Sequence, residues 1–180
     1  MKKALLTLKN GGVVVCPTDT VYGFLADATN KKAVDTIFKI KKRLRSKPLS
    51  IFVKDFKMAE EIAFISENQK KIIKKHWPGK HTFILKRKSD INLYGVQKDT
   101  IAIRIPKYKF LNNLLKKINT PLVQTSVNIS GEPPLTKIED IVKEFGRNKN
   151  IFIINAGSLK KAKPSKIIDL TGKNKKVLRK

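Results

Sequence analysis

Apolar positions along the chain come in short stretches whose period switches between helical and alternating, with polar or glycine-bearing breaks between them. Residues 2–9 read as a short helix that Gly11-Gly12 interrupts, and Val13-Val14-Val15-Cys16 is a β-branched run ended by Pro17. The spacing predicts a helix over 31–43, with Asn30 as N-cap and Val34, Ile37, Phe38 and Lys41 at helical intervals. A short strand follows at 50–53, then helices over 55–63 and 66–76. The second of these opens with a capping box of Ser66 and Gln69, and Trp77-Pro78-Gly79 ends it.

Strands are predicted over 81–86 and 100–105, a helix over 108–118 through Leu111, Leu115 and Ile118, and a strand over 122–125. Another capping box, Thr136 with Glu139, opens a helix whose Ile138, Ile141, Val142 and Phe145 form one apolar face and which Gly146 closes. Short strands at 151–154, 167–170 and 176–178 finish the chain. These last strands stand too close together for regular βαβ crossovers. The expectation is therefore an α/β fold in one domain over 1–180, a twisted mixed β-sheet flanked by helices.

Length and composition narrow the class. A chain of 180 residues, 41% hydrophobic and 30% charged with the two interspersed, has enough material for one real core. Its single cysteine, Cys16, excludes an internal disulfide, and the absence of any Cys/His cluster with zinc spacing excludes a structural zinc site. A reducing cytoplasm is the expected setting, with Cys16 a buried, inert thiol. The basic start turns apolar but breaks at Lys9-Asn10 without a cleavage pattern, and no apolar stretch approaches the roughly 20 residues a membrane span needs. A soluble protein with no membrane partner is expected.

Forty Lys+Arg against 14 Asp+Glu give a net charge of +26, which attracts nucleotides and RNA through a long-range field. Most of that excess is lysine, so the placing of the six arginines is more telling, because a guanidinium offers a planar fork for phosphate or carboxylate.

Four segments carry candidate chemistry. Pro17-Thr18-Asp19-Thr20-Val21-Tyr22-Gly23 follows a buried-looking strand, where open α/β sheets bind ligands, although the same residues also make an ordinary turn. The run 100–105 alternates, placing Ile101, Ile103 and Ile105 on one face and Thr100, Ala102 and Arg104 on the other, either as an anion clamp or as a solvated edge. Lys39, Lys41, Lys42, Arg43, Arg45 and Lys47 crowd a helix end and the loop beyond, suited to a triphosphate or simply to solvent. The loop from Thr125 to Gly131 is dense in small hydrogen-bonding side chains. Neither common nucleotide-binding glycine fingerprint occurs, and no nucleophile with a partnered base can be named, so catalysis would rest on positioning and charge neutralisation.

In order along the chain, Pro17 to Gly23, Lys41-Lys42-Arg43, Pro48-Leu49, Trp77-Pro78-Gly79, Thr100 to Pro106, Ser126-Val127-Asn128, Ser130-Gly131, Pro164-Ser165 with Asp169, and Leu178-Arg179 resemble the YrdC/Sua5 family. The resemblance implies a twisted α/β sheet around an open basic cavity, and L-threonylcarbamoyladenylate synthesis from L-threonine, bicarbonate and ATP, usually with Mg²⁺. It further implies a product consumed by a downstream threonylcarbamoyl transferase acting on tRNA, while contact of this chain with tRNA or double-stranded RNA stays an open alternative. By the match, ATP is expected at Lys41, Arg43, Lys47, Thr100, Asn128, Thr136 and Arg179, and threonine at Thr20, Arg104, Ser126 and Ser165. Catalysis is expected from Lys41, Arg43, Ser126 and Asn128, with no metal held by the protein's own residues.

The chain departs from the family pattern at Phe52, where many members carry histidine, and at Leu44, Lys47 and Lys166. Ending just past Arg179, it reads as the short form without an appended domain. Two other readings compete: a non-catalytic module that holds structured RNA by charge, and a carbamoyl-transfer relative like those of hydrogenase maturation, against which length argues.

Overall fold

The computed structural model describes residues 1–160, 162–172 and 174–179. The β-branched run forms β1 (Val13–Cys16), and its residues alternate between two core clusters, Val13 and Val15 in one and Val14 and Cys16 in the other. Burial on both faces explains why the run is apolar throughout. It also accounts for Cys16, a free thiol that is buried as expected and pushed up to about 12 by that burial.

Among the described residues ten strands form one mixed sheet. They are β1, β2 (Gly23–Asp27), β3 (Ser50–Phe52), β4 (Ala63–Phe64), β5 (His81–Arg87), β6 (Thr100–Arg104), β7 (Leu122–Ser126), β8 (Ile151–Ile153), β9 (Lys166–Asp169) and β10 (Lys176–Arg179). Their order is β10-β9-β5-β6-β3-β7-β2-β1-β8, with β4 added on β5. The pairs β1–β8, β3–β6 and β5–β9 are parallel and the others antiparallel, so the expected mixed sheet is met. Strand β2 was not expected. Its Phe24-Leu25-Ala26 core is buried, but the stretch is short and sits between turn-forming residues that mask it in the sequence.

Side chains of α2 (Lys31–Ile40), α3 (Phe56–Ile62), α4 (Glu67–Lys74) and α6 (Ile138–Phe145) join the larger core cluster on one face of the sheet. Those of α1 (Lys2–Lys9) and α5 (Lys109–Ile118) join the other cluster on the opposite face. Asn30 caps α2 through Ala33 N–H, and the Ser66–Gln69 box on α4 makes both of its bonds. The Thr136–Glu139 box does not form. Helix α6 is capped at Lys137 without a side-chain bond, so Glu139 falls one residue too early to reach back, and the Thr136 carbonyl instead accepts Leu159 N–H at 2.8 Å.

The positions of α1 and α5 decide where a ligand can sit. Their cluster covers Val14, Leu25, Leu122 and Phe52, the near part of that sheet face. Farther along the same face, Ser50, Thr82, Ile84, Ala102, Arg104, Gln124 and Ile167 have no helix over them and floor a cavity. Register confirms a shared side: Ile84 pairs with Ala102, Thr82 with Ile167, Ser50 with Gln124, and Phe52 with Arg104.

Candidate active site

The floor, with loops from four parts of the chain, encloses about 380 Å³. Thr20, Arg43, Ser126, Asn128, Ser165 and Arg179 join Arg104 in its lining. Among the described residues, three guanidinium groups therefore line one space together with a single side-chain carboxylate, that of Glu132.

Arg43 reaches the cavity because α2 ends earlier than its spacing predicts. After Ile40, Lys42 takes a left-handed conformation (φ 49°), and two bonds close a Schellman turn: Arg43 N–H to Phe38 O at 2.9 Å and Lys42 N–H to Lys39 O at 3.1 Å. The turn splits the cationic run. Lys41 points inward and is 1% exposed, Arg43 points to the cavity, and Arg45 turns outward to Asp35 at 2.6 Å. Arg43 spends Nε on Lys47 O at 2.9 Å and Nη2 on Pro48 O at 3.0 Å, which fixes the plane of its fork. Burial pulls its guanidinium below the ordinary value.

Lys41 lies beneath the loop that follows β7. Its ammonium donates to Ser126 O at 2.7 Å, Asn128 O at 2.8 Å and Asn128 Oδ1 at 2.9 Å, using all three hydrogens. Burial, and then the neighbouring Arg43, draw it down to about 8. Asn128 Oδ1 also accepts the Ser126 hydroxyl at 2.7 Å, while Nδ2 donates to Ile129 O at 2.8 Å and Glu132 O at 2.7 Å. Asn128 is thus saturated, and with Lys41 it sets the shape of the loop.

Arg104 is also 1% exposed. Nη2 is ion-paired to Asp19 Oδ1, and Nε donates to Gly79 O at 2.9 Å. Its guanidinium lies 5.5 Å from the centroid of the Phe52 ring, which places an aromatic face against it. Burial pulls Arg104 down and Asp19 pulls it back up. Asp19 Oδ2 accepts Lys107 N–H at 3.0 Å, so the carboxylate is fully engaged. The turn reading of residues 17–23 is also met, since the Thr18 hydroxyl donates to Val21 O at 2.7 Å and accepts Thr20 N–H at 3.0 Å.

Across the cavity, Arg179 Nε donates to Ser165 O at 2.8 Å and Nη2 to Ser165 Oγ at 3.1 Å, while that hydroxyl meets Thr82 Oγ1 at 2.9 Å. Burial lowers Arg179, and Arg104 lowers it further by repulsion. Two cations held near each other in a sheltered space favour an anion between them.

Of the expected site residues, the structure brings Thr20, Arg43, Arg104, Ser126, Asn128, Ser165 and Arg179 to one cavity. It does not bring Lys41, Lys47, Thr100 or Thr136 to the lining. Lys41 sits under the loop, Lys47 is exposed and contributes its carbonyl, Thr100 donates to Gln97 Oε1 at 3.0 Å, and Thr136 serves through its backbone. Arg104 does not lie on an open strand face as its alternation suggests, because Asp19 closes over it. Asp19 was missed as a partner. Ser50 and Gln124, hydrogen-bonded to each other on the floor, were missed as well, and the alternation of 122–126 was the available signal.

Among the described residues no group of three His, Cys, Asp or Glu side chains could hold a metal, and no helix is long and apolar enough to cross a membrane. Residues 6–180 match the model of the Sua5, YciO and YrdC proteins, whose description is telomere recombination. The chain belongs to the Sua5/YciO/YrdC family. It is 42% identical over 170 residues to a provisionally named threonylcarbamoyl-AMP synthase of Methanocaldococcus jannaschii, a match covering 94% of this chain and 78% of that protein. Threonylcarbamoyl-AMP synthase of Neisseria meningitidis is 32% identical over 171 residues, covering 93% of this chain and 89% of that one. Sua5 of Pyrococcus abyssi, solved in complex with L-threonine, superposes with a TM-score of 0.90 at 31% identity over 99% of this chain. This chain spans about half of that one, 53%. The expected family and the expected mixed α/β sheet flanked by helices are met.

Proposed function

We propose that the chain is a threonylcarbamoyl-AMP synthase, a nucleotidyltransferase that joins L-threonine, bicarbonate and ATP for threonylcarbamoyl modification of tRNA. The observation that carries the reading is the convergence of Arg43, Arg104 and Arg179 with Ser126 and Ser165 on one cavity, in a chain whose family relatives bear that name. Those names favour a synthase over a module that only holds RNA.

Bicarbonate condenses with the threonine amine, releasing water, and a carbamate oxygen then attacks the α-phosphorus of ATP. The bond from that phosphorus to the pyrophosphate oxygen breaks, and pyrophosphate leaves. Two anions must be held together and a third kept from recoiling, which cationic forks achieve without proton transfer. Arg104, buried beside Thr20, suits the threonine carboxylate, with Ser126 and Ser165 near the amine and side chain. Arg43 and Arg179 suit the phosphates from opposite rims. Lys41 and Asn128 act by positioning, since their donors already hold the loop. Lys47, Thr100 and Thr136, outside the lining, would reach the nucleotide only where it extends beyond the cavity.

Magnesium would supply charge neutralisation on the phosphates. With Glu132 the one side-chain carboxylate among the described lining residues, it would enter on ATP rather than in a protein cage. The product would pass to a transferase acting on tRNA, in the cytoplasm. Incubation with threonine, bicarbonate and Mg-ATP is expected to release pyrophosphate only when all three are present. Release that ignores threonine would refute the reading.

A further inference from the structure

On the far side of the Arg104–Asp19 pair lies a second cavity of about 330 Å³, to which the proposed reaction assigns no role. Lys75 and His76 from the end of α4, Gly79 and Lys80 from the turn beyond it, His81 opening β5, and Lys107 after β6 line it with Asp19. The two imidazoles face each other with centroids 4.2 Å apart.

Every other charge that His76 and His81 feel strongly is positive: Lys75 and Lys166, Lys175 before β10, and Arg104 behind the wall. Burial first and these cations second hold both imidazoles below their ordinary value. The one carboxylate in the lining does not offset them, because Asp19 is spent on Arg104 and on Lys107 N–H. Among the described residues none of the five lysines takes part in an ion pair. A concave site with so one-sided a field concentrates anions, and compact ammonium groups suit the spread charge of phosphate.

We propose that this second cavity binds a phosphate-type oxyanion, supplied either as a free ion or by an RNA backbone. The site stands independently of the reaction assigned to the larger cavity. Asp19 links the two, since an anion beside Lys107 would compete for the N–H that helps hold the carboxylate against Arg104.

The chain has only two histidines, so each imidazole signal can be assigned by NMR from one His→Gln variant. Inorganic phosphate is titrated at pH 7.5, with ionic strength held constant by sodium chloride. The expected result is a saturable movement of both imidazole signals and an upward shift of their titration midpoints. Replacing Lys75, Lys80 and Lys107 by glutamine should weaken the phosphate effect at least tenfold, while the same change at Lys2, Lys3 and Lys9 on α1 leaves it unaltered. No saturable movement in the unaltered protein, or equal weakening by both triple variants, would overturn the site. A hexauridylate that displaces phosphate at the imidazoles identifies RNA as the source, and one that does not identifies the free ion.

Discussion

Arg104 and Asp19 close on each other inside the protein, and the pair is the partition between the two cavities. A buried guanidinium without a counter-ion is costly, so Asp19→Asn is expected to destabilise the fold by about 3–5 kcal/mol. Asp19→Asn with Arg104→Gln should recover much of that loss. Urea unfolding of the two single variants and the double variant checks it, and additive losses would contradict a coupled pair.

Arg104 should also separate the two substrates. Arg104→Ala is expected to weaken threonine binding at least tenfold while changing ATP binding far less, read by calorimetry on each ligand alone. Equal loss for both would remove Arg104 from the carboxylate role.

Lys41 yields a pH prediction. Its ammonium is drawn from 10.5 to about 8 in the folded protein. Between those values the unfolded chain binds more protons than the folded one, so the cost of burying the charge fades as pH rises through the window. Measured as unfolding free energy at pH 7.5 and 9.5, the difference between the parent protein and Lys41→Met should move in favour of the parent, with a slope of at most about 1.4 kcal/mol per pH unit. A difference that is flat with pH would mean that the three acceptors keep the proton in place.

The Phe52 ring supports Arg104 from below and is fully buried in the α1–α5 cluster. Phe52→Leu keeps much of the volume but removes the aromatic face, so a loss of about 1–2 kcal/mol is expected. The threonine affinity should fall with it, because the guanidinium loses one of its supports. Thermal unfolding and threonine titration read the two effects.

Arg43→Lys keeps the charge and loses the fork. Lysine cannot bond Lys47 O and Pro48 O while also facing the cavity, so kcat/KM is expected to fall by roughly 10- to 100-fold with the thermal midpoint nearly unchanged. Unchanged turnover would mean that charge alone suffices there.

Elements with a local signal were legible in the sequence, and those fixed by distant partners were not. Asn30 and the Ser66–Gln69 box announced α2 and α4, because capping uses side chains within three residues of each other. The same pattern at Thr136 and Glu139 misled, because Leu159 takes the Thr136 carbonyl and the helix starts a residue later. Strand β2 exists because β1 and β7 flank it, which no local pattern reports. Of the residues the family motif named, seven line the cavity while Lys41, Lys47, Thr100 and Thr136 do not; the inward turn of Lys41 depends on Lys42 adopting a conformation that favours glycine, and nothing in its side chain signals that. Asp19 looked like a turn former because its partner is 85 residues away.

The uncovered part of the sheet beyond α1 and α5 has a consequence for how the protein is made. Its side chains come from β3, β5, β6, β7 and β9, and Arg179 from β10 completes the rim. A nascent chain therefore lacks a complete cavity until β9 and β10 have been added. Once a ligand lies across those strands it fastens early and late segments to one another, so that occupancy should slow the opening of the β9–β10 edge as well as filling the hollow.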